Sequence, residues 1–471
     1  MTTECNATQL ELKGLGRRRV VAEFGAEKVT SDAGGLLLRE VESRASIVRE
    51  FARCFVDHRD PARVEHSVVE LLAQRVYGIA LGYEDLNDHD DLRGDPLLAV
   101  LVGKLDPAGE DRRRERDRGH PLAGKSTLNR LELAAVGSDG DDRYHRIVCR
   151  PELVERTFVQ VFLESYESAP DEIVLDLDAT DDPVHGNQEG RFFHGYYGCY
   201  CYLPLYVFCG DHLLVAKLRP SNVDASAGAL EEVIRLVEQI RQRWPQVRII
   251  LRGDSGFSRD QTMAWCEANG VDYVFGLARN ARLEALIARQ LEKGRRRYLK
   301  TRVCSRRFSN LRYRTLNSWS CARRVVAKAE YLAKGANPRF VVTSIRADEM
   351  TARALYEKLY CARGDMENRI KEQQLGLFAD RTSSSVFFAN QLRLWLSSIA
   401  YVLVTALRRL ALAGSEMARA QCWTIRTKLL KIGAIVVISA RRILVRLPTA
   451  YPYKALLIAA LARLRDGPTP A

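Results

Sequence analysis

Three carboxylates stand out by their placement. Asp178 closes the run Ile173-Val-Leu-Asp176-Leu-Asp178-Ala-Thr180, and Asp254 follows Ile249-Ile-Leu-Arg252-Gly. Glu367 lies in Tyr360-Cys-Ala-Arg363-Gly-Asp-Met-Glu367. The first two end short apolar runs that read as buried strands. The third sits in a polar segment of helical character. Two strand-end carboxylates and one from a helix can hold a pair of hard divalent cations through oxygen. Two such ions about 4 Å apart make a water more acidic and neutralise a leaving oxygen, which is what phosphodiester cleavage needs. Mg²⁺ keeps several waters, so three or four acids suffice and no histidine or cysteine cage is required. Tyr360, Arg363 and Glu367 recur at i, i+3 and i+7 and share one helix face. On that face Glu367 can reach metal, Arg363 a phosphate, and Tyr360 can donate a hydrogen bond. The competing reading of the same spacing is a solvated salt-bridge row with Asp365, Arg369, Lys371 and Glu372.

Strands and helices must bring these groups together. Between 172 and 280 the pattern reads as three strands, helix, strand, helix, strand. The strands are Glu172–Asp178, a Tyr-, Phe- and Cys-rich stretch over 191–209, and His212–Arg219. An amphipathic helix over Ala225–Arg243 follows, then a strand over Val247–Leu251. A helix capped by Ser258 and ending at Asn269 leads to a strand over Tyr273–Leu277. This is a mixed sheet flanked by helices, the ribonuclease-H-like arrangement. Residues 281–345 read as a β-rich insertion. Its many arginines, Arg295, Arg296 and Arg297 among them, meet few acids, so it presents a basic face able to track a DNA backbone. Helical residues 352–374 lead through a loop to a long apolar helix over 386–412.

The rest of the chain bounds the class. Its 471 residues are 46% apolar and 28% charged, an ordinary globular composition with several domains' worth of core. The net charge of +13 and pI of about 9.3 favour a polyanionic partner, nucleic acid first. Eleven scattered cysteines without zinc-finger spacing read as reduced thiols of a cytosolic protein. The longest uncharged apolar stretch, Leu394–Leu407, is shorter than the ~20 residues of a membrane span, so no membrane partner is expected. Residues 1–165 read as mainly helical, with Ser31 or Asp32 capping an early helix. Asp85, Asp88, Asp90 and Asp91 around His89 read as a polar turn with capping carboxylates rather than a metal box. Gly119–Ser126 satisfies the Walker pattern GxxxxGK[ST], but an arginine-rich hydrophilic run precedes it where a P-loop needs a buried strand. It reads as a chance match, with Ser126 or Thr127 capping a helix over Leu128–Ala135.

Several motifs, in order, carry a resemblance. Tyr360-x2-Arg363-x3-Glu367 resembles the Y-R-E-K signature of bacterial insertion-sequence DDE transposases. Asp178-Ala-Thr180 resembles their first Asp motif and Arg252-Gly-Asp254-Ser-Gly-Phe257 their second. The run from Asp178 to Gly186, Phe387-Phe-Ala-Asn390-Gln391-Leu-Arg393, and Leu429-Leu-Lys-Ile-Gly-Ala434 resemble the insertion-sequence family numbered thirteen-eighty. The likeness spans about Val29 to Tyr453.

The resemblance implies an α/β fold with a ribonuclease-H-like core over 166–280 and 346–412, interrupted by the basic insertion 281–345. A helical N-terminal DNA-binding region, 1–165, and a basic C-terminal region, 413–471, flank it. It implies a transposase that binds the terminal inverted repeats of its element and performs Mg²⁺-dependent cleavage and strand transfer. Asp178, Asp254 and Glu367 are then the catalytic acids and ligands of two Mg²⁺ ions, for which Mn²⁺ can substitute. Asp176 is the alternative first acid, facing the same side of its strand. Tyr360, Arg363, Lys371 and Arg295–Arg297 are the expected DNA contacts, and the partners are end and target duplexes, with a homodimer on paired ends. The implied setting is the bacterial cytoplasm, at the nucleoid. The signature lysine is replaced by Gln374, with Lys371 one turn after Glu367 as the candidate substitute. The alternatives are a metal-dependent nuclease of the same fold that does not join strands, and a catalytically inactive DNA-binding descendant.

Overall fold

A computed structural model of the chain describes residues 9–23, 28–136 and 145–466. A nine-stranded mixed sheet forms its centre. Its order is His212–Lys217, Leu205–Cys209, Glu172–Ala179, Arg248–Gly253, Asp272–Leu277, Arg339–Thr343, Arg323–Leu332 and Ser305–Tyr313, with Gly335–Ala336 pairing Arg323–Leu332. The first three strands are antiparallel neighbours, and Arg248–Gly253 runs parallel to both Glu172–Ala179 and Asp272–Leu277. That order and sense is the ribonuclease-H-like core.

The period-two pattern of Glu172–Ala179 decides what each face carries. Ile173, Leu175 and Leu177 point into a core shared with helices Pro151–Glu164, Ala229–Arg243 and Asp260–Ala268. The intervening residues Val174, Asp176 and Asp178 face the other way. Val174 packs there in the cluster of Ile250, Val274, Leu355 and Leu359, beneath the helical segment that begins at Ala352. Both carboxylates of the strand are thereby turned to the side of the third station.

Boundaries shift in places. Ser258 does not cap the helix Asp260–Ala268; its hydroxyl donates to the Ser255 carbonyl, and Arg259 occupies the cap position. Neither Ser31 nor Asp32 caps the helix Leu36–Ala45, which begins behind a short turn at Ala33–Gly35. Asp32 is instead buried beneath Tyr83 and Lys431. Residues 281–345 open with two helices, Ala281–Leu286 and Ala288–Thr301, and their strands extend the central sheet.

The helix Phe387–Leu410 has the length and composition of a membrane span but is mostly buried inside the protein. It packs against Val68–Leu81 and Leu36–Ala45 on one side and strand His212–Lys217 on the other. Leu429, Leu430, Val436 and Leu457, from beyond residue 412, join this same core. Strand Ala434–Ser439 pairs with Val29–Thr30, stitching the C-terminal region to the start of the N-terminal one.

Candidate active site

Asp178 and Asp254 lie at the C-terminal ends of adjacent parallel strands, in register through the pairing of Gly253 with Leu177. The chain turns sharply after Gly253, where the Asp254 carboxylate accepts from the Gly256 N–H at 2.8 Å and shapes its own loop. Glu367 comes over from helix Gly364–Lys371. The segment leading to it is irregular: a wide π-type stretch at Leu355–Tyr360 and a tight turn at Cys361–Arg363 precede the α-helix. Such insertions shift the angular position of later side chains and recur at functional sites.

Arg363 joins the stations. Its guanidinium donates to Glu367 at 2.7 Å and stands 3.5 Å from the Asp178 carboxylate. Burial pushes the Asp178 carboxyl up to about 6; Arg363 opposes the rise, and the like charges of Asp254 and Glu367 add to it. The three carboxylates therefore share one electrostatic site. Among the described residues, however, no three Asp, Glu, His or Cys side chains close on a single ion-sized point. Three converging carboxylates repel one another, and Arg363 stands between two of them, Asp178 and Glu367. The donor set itself, oxygen-only and anionic, fits hard divalent cations.

Asp176 has a different environment. Both its oxygens accept from Arg252, at 2.5 and 2.7 Å, and it is 2% exposed. Arg252 also donates to the Leu359 carbonyl at 2.6 Å, tying the strand to the segment that carries Tyr360. This pair holds the third station against the sheet and leaves Asp176 no open oxygen.

Tyr360 reaches the Asp254 turn through a gap at Gly276. A Cβ added there would lie 2.6 Å from the Tyr360 hydroxyl and 3.0 Å from the Ser255 nitrogen. Gln374 donates to the Asp181 carbonyl at 3.1 Å and so steadies the turn after Asp178. Lys371 is exposed at the end of its helix. Arg295, Arg296 and Arg297 are exposed on helix Ala288–Thr301, which packs against the strands Arg323–Leu332 and Ser305–Tyr313. Arg295 and Arg296 share Glu292, and Arg306 and Lys328 share Glu330. Arg323 is buried between Asp260 and Glu267. The acids of the insertion are few, as expected, but Glu292 and Glu330 within it and Asp260 and Glu267 before it already neutralise part of its positive charge.

The roles of Arg252, Gly276 and Gln374 were missed in the sequence. Arg252 carried a signal, since period two places it on the same strand face as Asp254 and beside Asp176. Gly276 carried none, and Gln374 stood out only as the residue at the signature lysine's position. At the Walker-like stretch no strand precedes the helix Lys125–Glu132, and Asp90 occupies its N-terminus, accepting from the Lys125 N–H and pairing with its ammonium group. That carboxylate, rather than Ser126 or Thr127, serves the helix end, where a phosphate would otherwise sit. His89 is fully buried against Gln74 and Arg75, so the acidic cluster around it is structural.

The family model described as "Transposase DDE domain group 1" matches residues 12–469. No curated protein matches the chain. Among solved structures, the chain is similar to the cryo-EM structure of a piggyBac transposase synaptic complex with hairpin DNA, at 11% identity and a TM-score of 0.41. That match covers 86% of this chain and 81% of the other.

Proposed function

This chain belongs to the transposase DDE domain group 1 family, and from that premise we propose that it cuts DNA at the terminal inverted repeats of its own mobile element and joins those ends to target DNA. The observation that carries the reading is the meeting of Asp178, Asp254 and Glu367 in one electrostatic site around Arg363. Asp178, Asp254 and Glu367 would hold two divalent cations, Mg²⁺ by preference, with Asp178 rather than Asp176 as the first acid. Bound there, the ions supply an acidified water and neutralise the leaving oxygen.

The chain's own groups do the remaining work. Arg363 is a forked, permanently charged donor suited to a phosphate, and it stands beside both acids. Tyr360, held at the Asp254 turn, donates its hydroxyl to the same backbone. The Asp176–Arg252 pair fixes the distance between strand and third station. Arg295–Arg297 and Lys371 add non-specific grip, and two copies meet on paired ends.

The test is a gel-shift and a cleavage assay on end-containing DNA. Glu367→Gln keeps the side-chain size but removes the charge that holds a hard cation. It abolishes cleavage and leaves end binding intact or tighter. Arg363→Ala weakens end binding, and added Mg²⁺ does not restore cleavage. Parent-like cleavage by Glu367→Gln would place the catalytic acid elsewhere.

A further inference from the structure

Between the strands that carry Asp178 and its neighbour, the chain makes a detour. Strand Asp182–Pro183 follows Asp178 by four residues and pairs with Cys199–Tyr202, which pairs in turn with Phe192–His194. The chain then enters Leu205–Cys209, whose Tyr206 is the register partner of Asp178. The ribbon therefore springs from the strand ends at the candidate active site. Its root is firm. Cys201 and Tyr202 are fully buried, the Tyr202 hydroxyl donates to the Glu189 carbonyl at 2.6 Å, and Ser221 donates to the Phe192 carbonyl at 2.9 Å.

Its free part is rich in exposed rings. Residues 191–200 hold five Phe and Tyr rings, no aliphatic side chain and no carboxylate. Tyr196 is 86% exposed, Phe193 59% and Tyr200 48%. Phe193 and Tyr200 are cross-strand partners with ring centres 5.6 Å apart, and the Arg191 guanidinium lies 4.6 Å over the Tyr200 ring. Gly198, at φ +69°, closes the tip beside Tyr196 and Tyr197, whose rings meet edge to face.

Exposed aromatic surface of this extent marks a binding site. We propose that the ribbon 191–200 is a stacking platform for unpaired nucleobases beside the strand end that carries Asp178. The inference rests on the DNA-cutting reading of that site. Planar faces without aliphatic neighbours suit base stacking, which is tolerant of sequence because every base has a π-face. Duplex DNA hides those faces, whereas strand separation and cut ends expose them. The absence of carboxylates and the presence of Arg191 let a phosphate backbone approach. Rings fixed on an anchored ribbon lose little freedom when a base settles on them. A second copy of the chain is the other possible occupant, but a self-association face would pair rings with aliphatic side chains, and this one has none.

The experiment measures fluorescence anisotropy with a labelled oligothymidylate about 12 nucleotides long and a duplex about 30 base pairs long, at one fixed salt concentration. The proteins are the full chain, Tyr196→Ala, the triple variant Phe193→Ala/Tyr196→Ala/Tyr200→Ala, and Tyr196→Phe/Tyr200→Phe. Single-strand affinity falls about tenfold for each stack lost, duplex affinity stays within about twofold, and the Phe variant binds like the parent. Unchanged single-strand affinity in Tyr196→Ala and the triple variant overturns the platform. Equal loss on both probes overturns it too, since that is a general grip. A change in sedimentation of the DNA-free triple variant with unchanged single-strand affinity identifies a self-association face instead. Failure of the parent to bind the duplex would strike the DNA-cutting reading, which separates the two conclusions.

Discussion

Asp176 and Asp178 are two residues apart on one strand face, yet removing them should have opposite effects on stability. Asp176→Ala leaves Arg252 buried with its charge unmatched, because both of its carboxylate contacts vanish. Breaking one half of a buried pair costs about 3–5 kcal/mol. Asp178 is the reverse case: its folded carboxyl sits near 6 against an ordinary 3.8, raised first by burial. The folded state therefore holds this proton more tightly than the unfolded state does. The stability it lends is full below pH 3.8 and is lost as pH rises through 6. At pH 7 the charged group costs on the order of 3 kcal/mol, which Asp178→Asn removes. With about 2.1 cal/mol/K per residue over 471 residues, 1 kcal/mol moves the melting midpoint by about 1 °C. Calorimetry at pH 7 without divalent metal should show Asp176→Ala melting about 3–5 °C lower and Asp178→Asn about 3 °C higher than the parent. At pH 4 the gain from Asp178→Asn should nearly vanish. Cleavage should be lost in Asp178→Asn. A destabilised Asp178→Asn beside an unaffected Asp176→Ala would refute the division of roles between the two acids.

Gly276→Ala should cut the cleavage rate about tenfold or more, because its Cβ would press on the Tyr360 hydroxyl. The double variant with Tyr360→Phe should then cleave about as well as Tyr360→Phe alone; a further loss would mean that Gly276 acts some other way. Replacing Arg295, Arg296 and Arg297 with alanine should lower the salt slope of DNA binding by only about 1–2 units, because two of them already share Glu292. An unchanged slope would make that helix an ordinary solvated face. His212 is held down to about 4, chiefly by burial with Arg409 adding, and His66 to about 3 by burial with Lys104 and Arg112. Both fold as neutral groups, so their stability is present above pH 6.5 and drains as pH falls through that value, at about 1.4 kcal/mol per unit for each. Urea midpoints at pH 7.5 and 5.5 should therefore diverge less in His212→Asn than in the parent.

Asp178 and Asp254 stand out in the sequence because each ends an apolar run, and a strand end is where a polar group can leave a core, whereas Glu367 stands out only by its spacing from Tyr360 and Arg363. The parallel pairing of Asp178's and Asp254's strands also follows from the intervening helix Ala229–Arg243. What stayed hidden was long-range and mutual. Nothing local marks Arg252 as the partner of Asp176 rather than of a phosphate. Nothing local says that Gly276, next to the end of its strand, is small so that Tyr360 can pass. The charge count of the insertion misled for a similar reason: Glu292 and Glu330 are few, but each serves two cations, which counting cannot show. The five rings at 191–200 read as strand formers; Phe192, Phe193 and Tyr200 do lie in strands and Tyr196 and Tyr197 in the turn between them, but β-propensity does not say whether a ring is inside or out.

The pairing of Val29–Thr30 with Ala434–Ser439 has a consequence for how the molecule comes into being. The N-terminal helices are made first, but their core is completed by Leu429, Leu430 and Val436, hundreds of residues later. On the ribosome that half must wait, with apolar surface uncovered, until almost the whole chain has emerged. Contacts so distant in sequence slow folding and lengthen exposure to aggregation. A stop codon or frameshift anywhere before about residue 430 would thus do more than trim a basic tail. It would leave the first-made helices without their closing wall, and a truncated gene would yield insoluble chain instead of a shortened DNA-binding competitor.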